Sequence, residues 1–212
     1  MEELVKKLYK VEGGIFHYNE GEKDITSPAG VYKYAHPNIE LWKFVNEVCV
    51  DFGIPTNTKN WTKYELDSLN DLLDIEEISS KIFELEVNFY LEENKHLRIH
   101  LFHNELKYLV FNLYTNSHVG LWRSVQYGIR KLINNGELTY PIKNTSIVDG
   151  KFGRKTENAL KVIKNLNIDK QIKFKKYILD GMEDYYIYLA KKPQYKKYIN
   201  GWLNRIDNLR NV

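Results

Sequence analysis

The sequence is poor in several features that mark particular classes of protein. Its 212 residues include one cysteine, Cys49, which excludes an internal disulfide and a cysteine-based zinc site. No apolar run approaches the roughly 20 residues that span a bilayer, so stable membrane insertion is not expected. The N-terminal Met-Glu-Glu-Leu lacks the basic and apolar regions of a signal peptide. We therefore expect synthesis in the cytoplasm and, where the protein acts outside, release or export by another route.

What the sequence does contain is sufficient for a folded core. Hydrophobic residues make up 43% of the chain and aromatic residues 14%, so disorder is not expected. The length suits one large domain or two small ones. Cys49 lies among Phe44, Val45, Val48 and Val50, which predicts a buried and unreactive thiol.

The small net charge of +3 conceals an uneven distribution. Residues 1–150 carry 16 Lys and Arg against 22 Asp and Glu, a net charge of −6. Residues 151–212 carry 15 basic against 6 acidic residues, a net charge of +9. A basic C-terminal part suggests an anionic partner, such as nucleic acid, a membrane surface or a bacterial wall polymer. Lysines on solvated helix faces would give the same count.

Hydrophobic periodicity indicates a mainly α-helical fold. Leu4, Leu8 and Val11 mark one face of a first helix, and Thr62 to Glu65 fit a capping box. Between His17 and Asn38 the helical pattern fails, and short β-like pieces around Ile25 and Val31 predict a small hairpin. Further helices are predicted over 39–52, 75–93, 104–116, 120–134 and, as two or three helices, 153–206.

Glu12 stands at an unexpected place. It precedes Gly13 and Gly14, which end the first helix, so its carboxylate lies at the negative end of the helix dipole. That position and partial burial would both favour the protonated form, as the general acid of a glycosidase requires. A solvated glutamate at a frayed helix end is the simpler alternative.

The stretch VEGGIFHYNEGEKDITSPAGVYK, residues 11–33, resembles the N-terminal motif of the glycoside hydrolase family 108 muramidases. Glu12, Gly13 and Gly14 match the motif of that family directly. Thr26 falls at the distance expected for its threonine. The acidic turn of the family is not reproduced: Gly21 stands where an aspartate is expected, with acidic residues around it.

Three later stretches resemble the same family in the same order. VFNLYTNSHVGLWRSVQYGIRKL, residues 110–132, keeps Asn116 and Gln126 but has Asn112 and His118 in place of an aspartate and a glycine. VDGKFGRKTENAL, residues 148–160, and GWLNRI, residues 201–206, resemble the peptidoglycan-binding region of the family. The four matches lie in the same order between residues 11 and 206, so together they span most of the chain.

The resemblance implies a lysozyme-like catalytic fold with a small β-hairpin over residues 1–118. A C-terminal helical region over 119–212 would bind peptidoglycan, either as a separate part or packed with the first as one unit. The resemblance implies cleavage of the β-1,4 bond between N-acetylmuramic acid and N-acetylglucosamine, with Glu12 as general acid and no cofactor.

The second catalytic group is predicted from position. Asp24 is the first choice, because it lies two residues before Thr26 and a strand would turn both side chains to one face. Glu22 comes second and Glu20 third. The predicted substrate-binding residues are Thr26, Glu22, Tyr32 and Asn116.

Other readings of the sequence remain open. A lytic transglycosylase would share the fold and the single glutamate and would need no second carboxylate. A catalytically inactive wall-binding module would keep the fold and the basic C-terminus. The spacing of His96, His100 and His103 suits one helix face, but no HExxH pattern accompanies it, so no metal site is predicted. Nucleic acid is not predicted either, since no recognition motif accompanies the aromatic and basic C-terminus. The oligomeric state is left open.

Overall fold

The computed structural model describes residues 1–18, 23–139 and 148–211. The chain folds as two compact units, Met1–Lys95 and His96–Val212, here called unit 1 and unit 2. The described residues form nine α-helices and no strand, which confirms the mainly α-helical class. None of the described helices is long and apolar enough to cross a membrane.

The described residues of unit 1 form four α-helices. They are α1 (Glu2–Glu12), α2 (Glu40–Asp51), α3 (Lys63–Asp71) and α4 (Glu76–Glu93). α4 packs against both α1 and α2. The predicted capping box is confirmed at α3: Thr62 accepts a hydrogen bond from the Tyr64 amide, and Glu65 accepts one from the Thr62 amide.

The buried face of α1 differs by one position from the predicted face. Val5 and Leu8 are buried, whereas Val11 is 51% exposed. Residues 5, 8 and 12 follow the three- and four-residue spacing of one helix face. Glu12 is therefore on the face that α1 turns towards the interior of unit 1.

The predicted hairpin between residues 17 and 38 is not confirmed. The described part of this segment contains two isolated antiparallel bridges, His17 with Thr26 and Thr26 with Tyr32. Around them the chain forms turns, including one closed by the Gly30 amide donating to the Ser27 carbonyl at 2.8 Å. Two bridges that share Thr26 do not form a continuous β-ladder. Hydrogen bonds from other parts of unit 1 hold this segment in place instead.

Unit 2 contains the remaining five α-helices of the described chain. They are α5 (Asn104–Asn116), α6 (His118–Asn134), α7 (Arg154–Ile163), α8 (Ile168–Ala190) and α9 (Ile199–Arg210). Glycines let α6 and α8 approach closely: a Cβ atom added at Gly128 would lie 2.8 Å from the Phe174 ring. One added at Gly181 would lie 3.1 Å from the Ser124 Cα. The core of unit 2 is the interface between these two long helices.

The units divide at a different place from the predicted boundary between residues 118 and 119. α5 packs on α6 and α8, so it belongs with the C-terminal helices. Its buried residues run almost continuously from Tyr108 to Tyr114, which gives α5 apolar sides for both neighbours. The functions predicted for residues 1–118 and 119–212 stay predictions.

Candidate functional site

Glu12 ends α1 because the next residue adopts a backbone conformation that stops a helix. Gly13 has φ +92°, in the left-handed region, as the C-terminal cap. Gly14 follows with φ +69°. The predicted helix end is confirmed, and Glu12 is half-buried rather than fully solvated.

The carboxyl group of Glu12 lies directly against Gly30. A Cβ atom added at Gly30 would be 3.2 Å from the Cγ and 3.3 Å from the Cδ of Glu12. Gly30 also has φ +90°, which L side chains rarely adopt. The position thus favours glycine for two independent reasons, backbone conformation and space for the glutamate.

Asp24 is buried against the segment that precedes α3. It is 4% exposed, and its Oδ1 accepts hydrogen bonds from the Thr58 hydroxyl and the Ile25 amide. Thr26, which the sequence predicts on the same strand face as Asp24, is 3% exposed, but Ile25 between them is also fully buried. All three successive residues are therefore enclosed, in place of the alternation of a surface strand.

The other predicted site residues lie in different surroundings. The Tyr32 hydroxyl accepts a hydrogen bond of 2.8 Å from the Lys23 amide, and its ring is 6.0 Å from that of Tyr34. Asn116 is exposed at the end of α5 in unit 2, where it donates to the Asn112 carbonyl at 2.8 Å. Glu20 and Glu22 lie outside the described residues.

A buried carboxyl that the sequence did not reveal, Glu86 of α4, joins the two segments around Glu12. Glu86 is fully buried. It accepts hydrogen bonds from the Tyr9 hydroxyl of α1, the Ser27 hydroxyl and, at 2.8 Å, the Ala29 amide. Tyr9 lies one turn before Glu12, and Ala29 directly precedes Gly30. Glu86 therefore fixes both the helix that carries Glu12 and the turn on which Glu12 rests.

Burial dominates the electrostatics of Glu86. Loss of hydration raises its pKa to about 7, and the hydrogen bonds from Ser27, Tyr9 and Ala29 oppose that rise. A sequence signal for this residue does exist. Ile78, Ile82, Glu86 and Tyr90 are all buried at four-residue spacing on α4, so a carboxyl replaces an apolar residue in the buried stripe.

In unit 2, two of the motifs that carry the resemblance are bonded to each other. The Gln126 side chain donates to Asp149 Oδ1 at 2.8 Å and to the Lys151 carbonyl at 2.9 Å, and accepts from the Gly150 amide at 2.9 Å. Gly150 has φ +75°, and an added Cβ would be 2.9 Å from Val119. These bonds hold the Asp-Gly turn before α7 against α6. The motif that contains Gln126 and the motif that contains Asp149 therefore both have a structural role.

Asn112, which stands where the resemblance expects an aspartate, lies inside unit 2. It is fully buried, and its side-chain nitrogen and oxygen have no hydrogen-bond partner among the described residues. An ionised carboxylate without partners would cost far more to bury than a neutral amide. An asparagine is therefore better suited than the expected aspartate to this buried position.

The three histidines of residues 96–103 do not share a helix face. Arg98 between them is in the left-handed region with φ 57°, and only Ile99–Leu101 form a short 3-10 helix. His103 instead caps α5, its Nδ1 accepting from the Glu105 amide at 3.4 Å. No group of three potential metal ligands is present in residues 1–18, 23–139 and 148–211.

Comparison with known proteins gives one match. Residues 131–207 match a family model described as "Predicted Peptidoglycan domain". This range begins within α6 and reaches into α9, so it includes the Asp-Gly turn and most of the basic C-terminal part. No curated protein and no solved structure matches the chain.

The match supports a peptidoglycan-associated protein, with peptidoglycan as its partner. The matched range does not include Glu12 or the residues around it. The match therefore says nothing about a cleavage reaction.

Proposed function

We propose that this protein is a peptidoglycan hydrolase, an N-acetylmuramidase that cleaves the β-1,4 bond between N-acetylmuramic acid and N-acetylglucosamine. The observation that carries the proposal is the placement of Glu12. Its carboxyl ends a helix and rests on a glycine turn, and Glu86 holds both the helix and the turn. The peptidoglycan match in unit 2 supplies the substrate class.

Glu12 would act as the general acid. Cleavage of a glycosidic bond requires a proton on the leaving oxygen, and a positioned carboxylic acid supplies it. The contact with Gly30 limits the positions open to the carboxyl, because the turn fills the space on one side. Thr26, Glu22 and Tyr32 are proposed to contact the substrate beside Glu12, and Asn116, which belongs to unit 2, stays a prediction from the sequence.

The second carboxylate decides between two mechanisms. An inverting hydrolase needs a base roughly 6.5–9.5 Å from the acid, with room for a water molecule between them. Asp24 is the proposed base, with Glu22 and Glu20 as the other candidates. The burial of Asp24 and its bond with Thr58 favour a second candidate function, a lytic transglycosylase, in which Glu12 alone would act.

The products of purified peptidoglycan distinguish these functions. The protein is incubated with sacculi, and the soluble fragments are weighed by mass spectrometry. Ordinary reducing ends, formed by addition of water, are the expected result for the hydrolase. Fragments lighter by one water indicate the transglycosylase. Binding without release of fragments would contradict both and identify a wall-binding module.

The site of action is part of the proposal. A muramidase must reach the wall, so we propose that the chain acts on the cell wall or in the periplasm. Fractionation of cells that produce the protein checks this. Protein that stays with the cytoplasm while the wall is being degraded would contradict it.

A further inference from the structure

The C-terminal part of unit 2 contains a cluster of four aromatic rings. Trp202 of α9 stacks on Tyr186 of α8, with ring centroids 4.8 Å apart and an interplanar angle of 20°. Tyr198 stacks on the same indole at 5.7 Å, and Tyr195 lies at 6.2 Å. Tyr186, Tyr195, Tyr198 and Trp202 are named the aromatic cluster below.

The cluster extends from the core to the surface. Tyr186 is 2% exposed, whereas Tyr195 and Tyr198 are 36% and 44% exposed. Both outer tyrosines belong to a short 3-10 helix, Pro193–Tyr198, that leads into α9. The buried Tyr186 and the half-buried Trp202 therefore support two partly exposed rings on a regular segment rather than on a loose loop.

Four lysines surround the outer tyrosines. Lys191, Lys192, Lys196 and Lys197 are all exposed, and the Lys197 ammonium lies 4.9 Å from the centre of the Tyr198 ring. None of the four forms an ion pair with a residue that the structure describes. Residues 185–206 contain five basic residues and no acidic one.

Three lysines elsewhere in unit 2 do form ion pairs. Lys161, Lys173 and Lys176 each pair with a carboxylate within 2.8 Å. The lysines around the aromatic cluster have no such partner in the described part of the chain, so their charges are available to an anion outside it.

We propose that Tyr195, Tyr198 and the adjacent lysines bind a glycan strand of peptidoglycan that carries free stem-peptide carboxylates. The inference rests on the wall association of the proposed function but not on catalysis. The C–H faces of sugar rings pack on aromatic rings, and the tyrosine hydroxyls can bond to the polar edges of the sugars. Carboxylates of the stem peptide fit the cluster lysines by charge.

The test measures binding of the full-length chain to sacculi that lack teichoic acid. Glu12→Gln is the background, so that the polymer is not digested during sedimentation. In that background, Lys196→Gln with Lys197→Gln and, separately, Tyr195→Ala with Tyr198→Ala are compared with the parent. Lys6→Gln with Lys43→Gln is the matched control, since both lysines are exposed and lie in unit 1, outside the range that matches the peptidoglycan family model.

Each cluster variant is expected to raise the dissociation constant about fivefold or more, as two exposed ion pairs or two ring contacts would. The control should bind like the parent. Sacculi whose carboxylates have been converted to amides should bind the parent as weakly as untreated sacculi bind the lysine variant. Circular dichroism verifies that every variant is folded.

Two results would overturn the inference. Equal loss of binding in the cluster variants and the control would mean that only total charge matters. Binding that requires teichoic acid would identify a phosphate polymer as the ligand. Neither result depends on cleavage of peptidoglycan. The binding inference can therefore fail while the proposed hydrolase activity stands, and the reverse is also possible.

Discussion

At the scale of single residues, two glutamates of unit 1 have different roles. Glu12 is half-buried with its carboxyl on Gly30, and Glu86 is fully buried with three donors around it. Glu12 could be predicted because its position at a helix end is local in sequence. The spacing on α4 signals that Glu86 is buried, but its partners could not be predicted, because its donors lie 57 or more residues away and only the fold brings them together.

Glu86→Gln is expected to remove a pH dependence of stability. The pKa of Glu86 is raised from 4.5 to about 7, so between these values the folded chain holds a proton that the unfolded chain has lost. The free energy of unfolding therefore falls as pH rises through this window, by on the order of 3 kcal/mol. Glutamine stays neutral, and its oxygen can accept from Ser27 and Ala29 while its amide donates to Tyr9.

Urea unfolding at several pH values measures this effect. Relative to wild type, Glu86→Gln should gain stability steadily from pH 4.5 to 7.5. Glu93→Gln is the control, since Glu93 is exposed on the same helix. Parallel stability curves for wild type and Glu86→Gln would show that Glu86 does not titrate in this window.

The role of Asp24 is tested with its neighbour Thr58. Asp24→Asn should lower lytic activity more than Glu22→Gln, and Glu20→Gln should lower it least. Thr58→Val keeps the carboxylate but removes the hydroxyl that donates to it. If Asp24 is the base, Asp24→Asn abolishes turnover while Thr58→Val mainly lowers the melting temperature. Retained activity in a folded Asp24→Asn chain would contradict the role of Asp24 as the base and leave it only a structural role.

At the scale of elements, the helices follow from the sequence and the segment around Glu12 does not. The periodicity of α2, α4 and α5 and the capping box of α3 are local signals, and the structure confirms them. The predicted hairpin is not confirmed: in the described part of its segment, Thr58, Glu86 and Tyr90 bind Asp24, Ser27 and Ala29 from distant parts of the chain. Bonds of this kind leave no periodic pattern in the sequence.

Gly30→Ala should separate activity from stability. Alanine at φ +90° costs roughly 1–2 kcal/mol of conformational energy. Its methyl group would also displace the Glu12 carboxyl, so lytic activity should fall at least about tenfold. Gly53→Ala is the matched control, since Gly53 has φ +69° and open space around it.

Melting temperature and lytic rate are measured for both glycine variants. Comparable losses of stability, with loss of activity in Gly30→Ala alone, are expected. Full activity in a folded Gly30→Ala chain would mean that the contact with Gly30 does not position Glu12.

At the scale of the whole molecule, the positive charge of the C-terminal part is the property that bears on binding to peptidoglycan. Residues 151–212 carry a net charge of +9, and the peptidoglycan match lies mostly in this part. The Debye length falls from about 10 Å at 0.1 M salt to about 3 Å at 1 M, so attraction between exposed charges is screened. Full-length Glu12→Gln should therefore bind sacculi at least about tenfold more weakly at the higher salt. Binding that is indifferent to salt would contradict an electrostatic attraction.

The measurement that tests the central claim most directly is the release of soluble fragments from purified peptidoglycan by wild type, Glu12→Gln and Glu2→Gln. Glu2 is exposed at the start of the same helix, so its variant makes the same change of charge away from the site. Wild type and Glu2→Gln should release fragments at the same rate, and folded Glu12→Gln should be at least about a hundredfold slower, because it has no proton to transfer. A folded Glu12→Gln chain that releases fragments at the wild-type rate would contradict the assignment of Glu12 as the general acid.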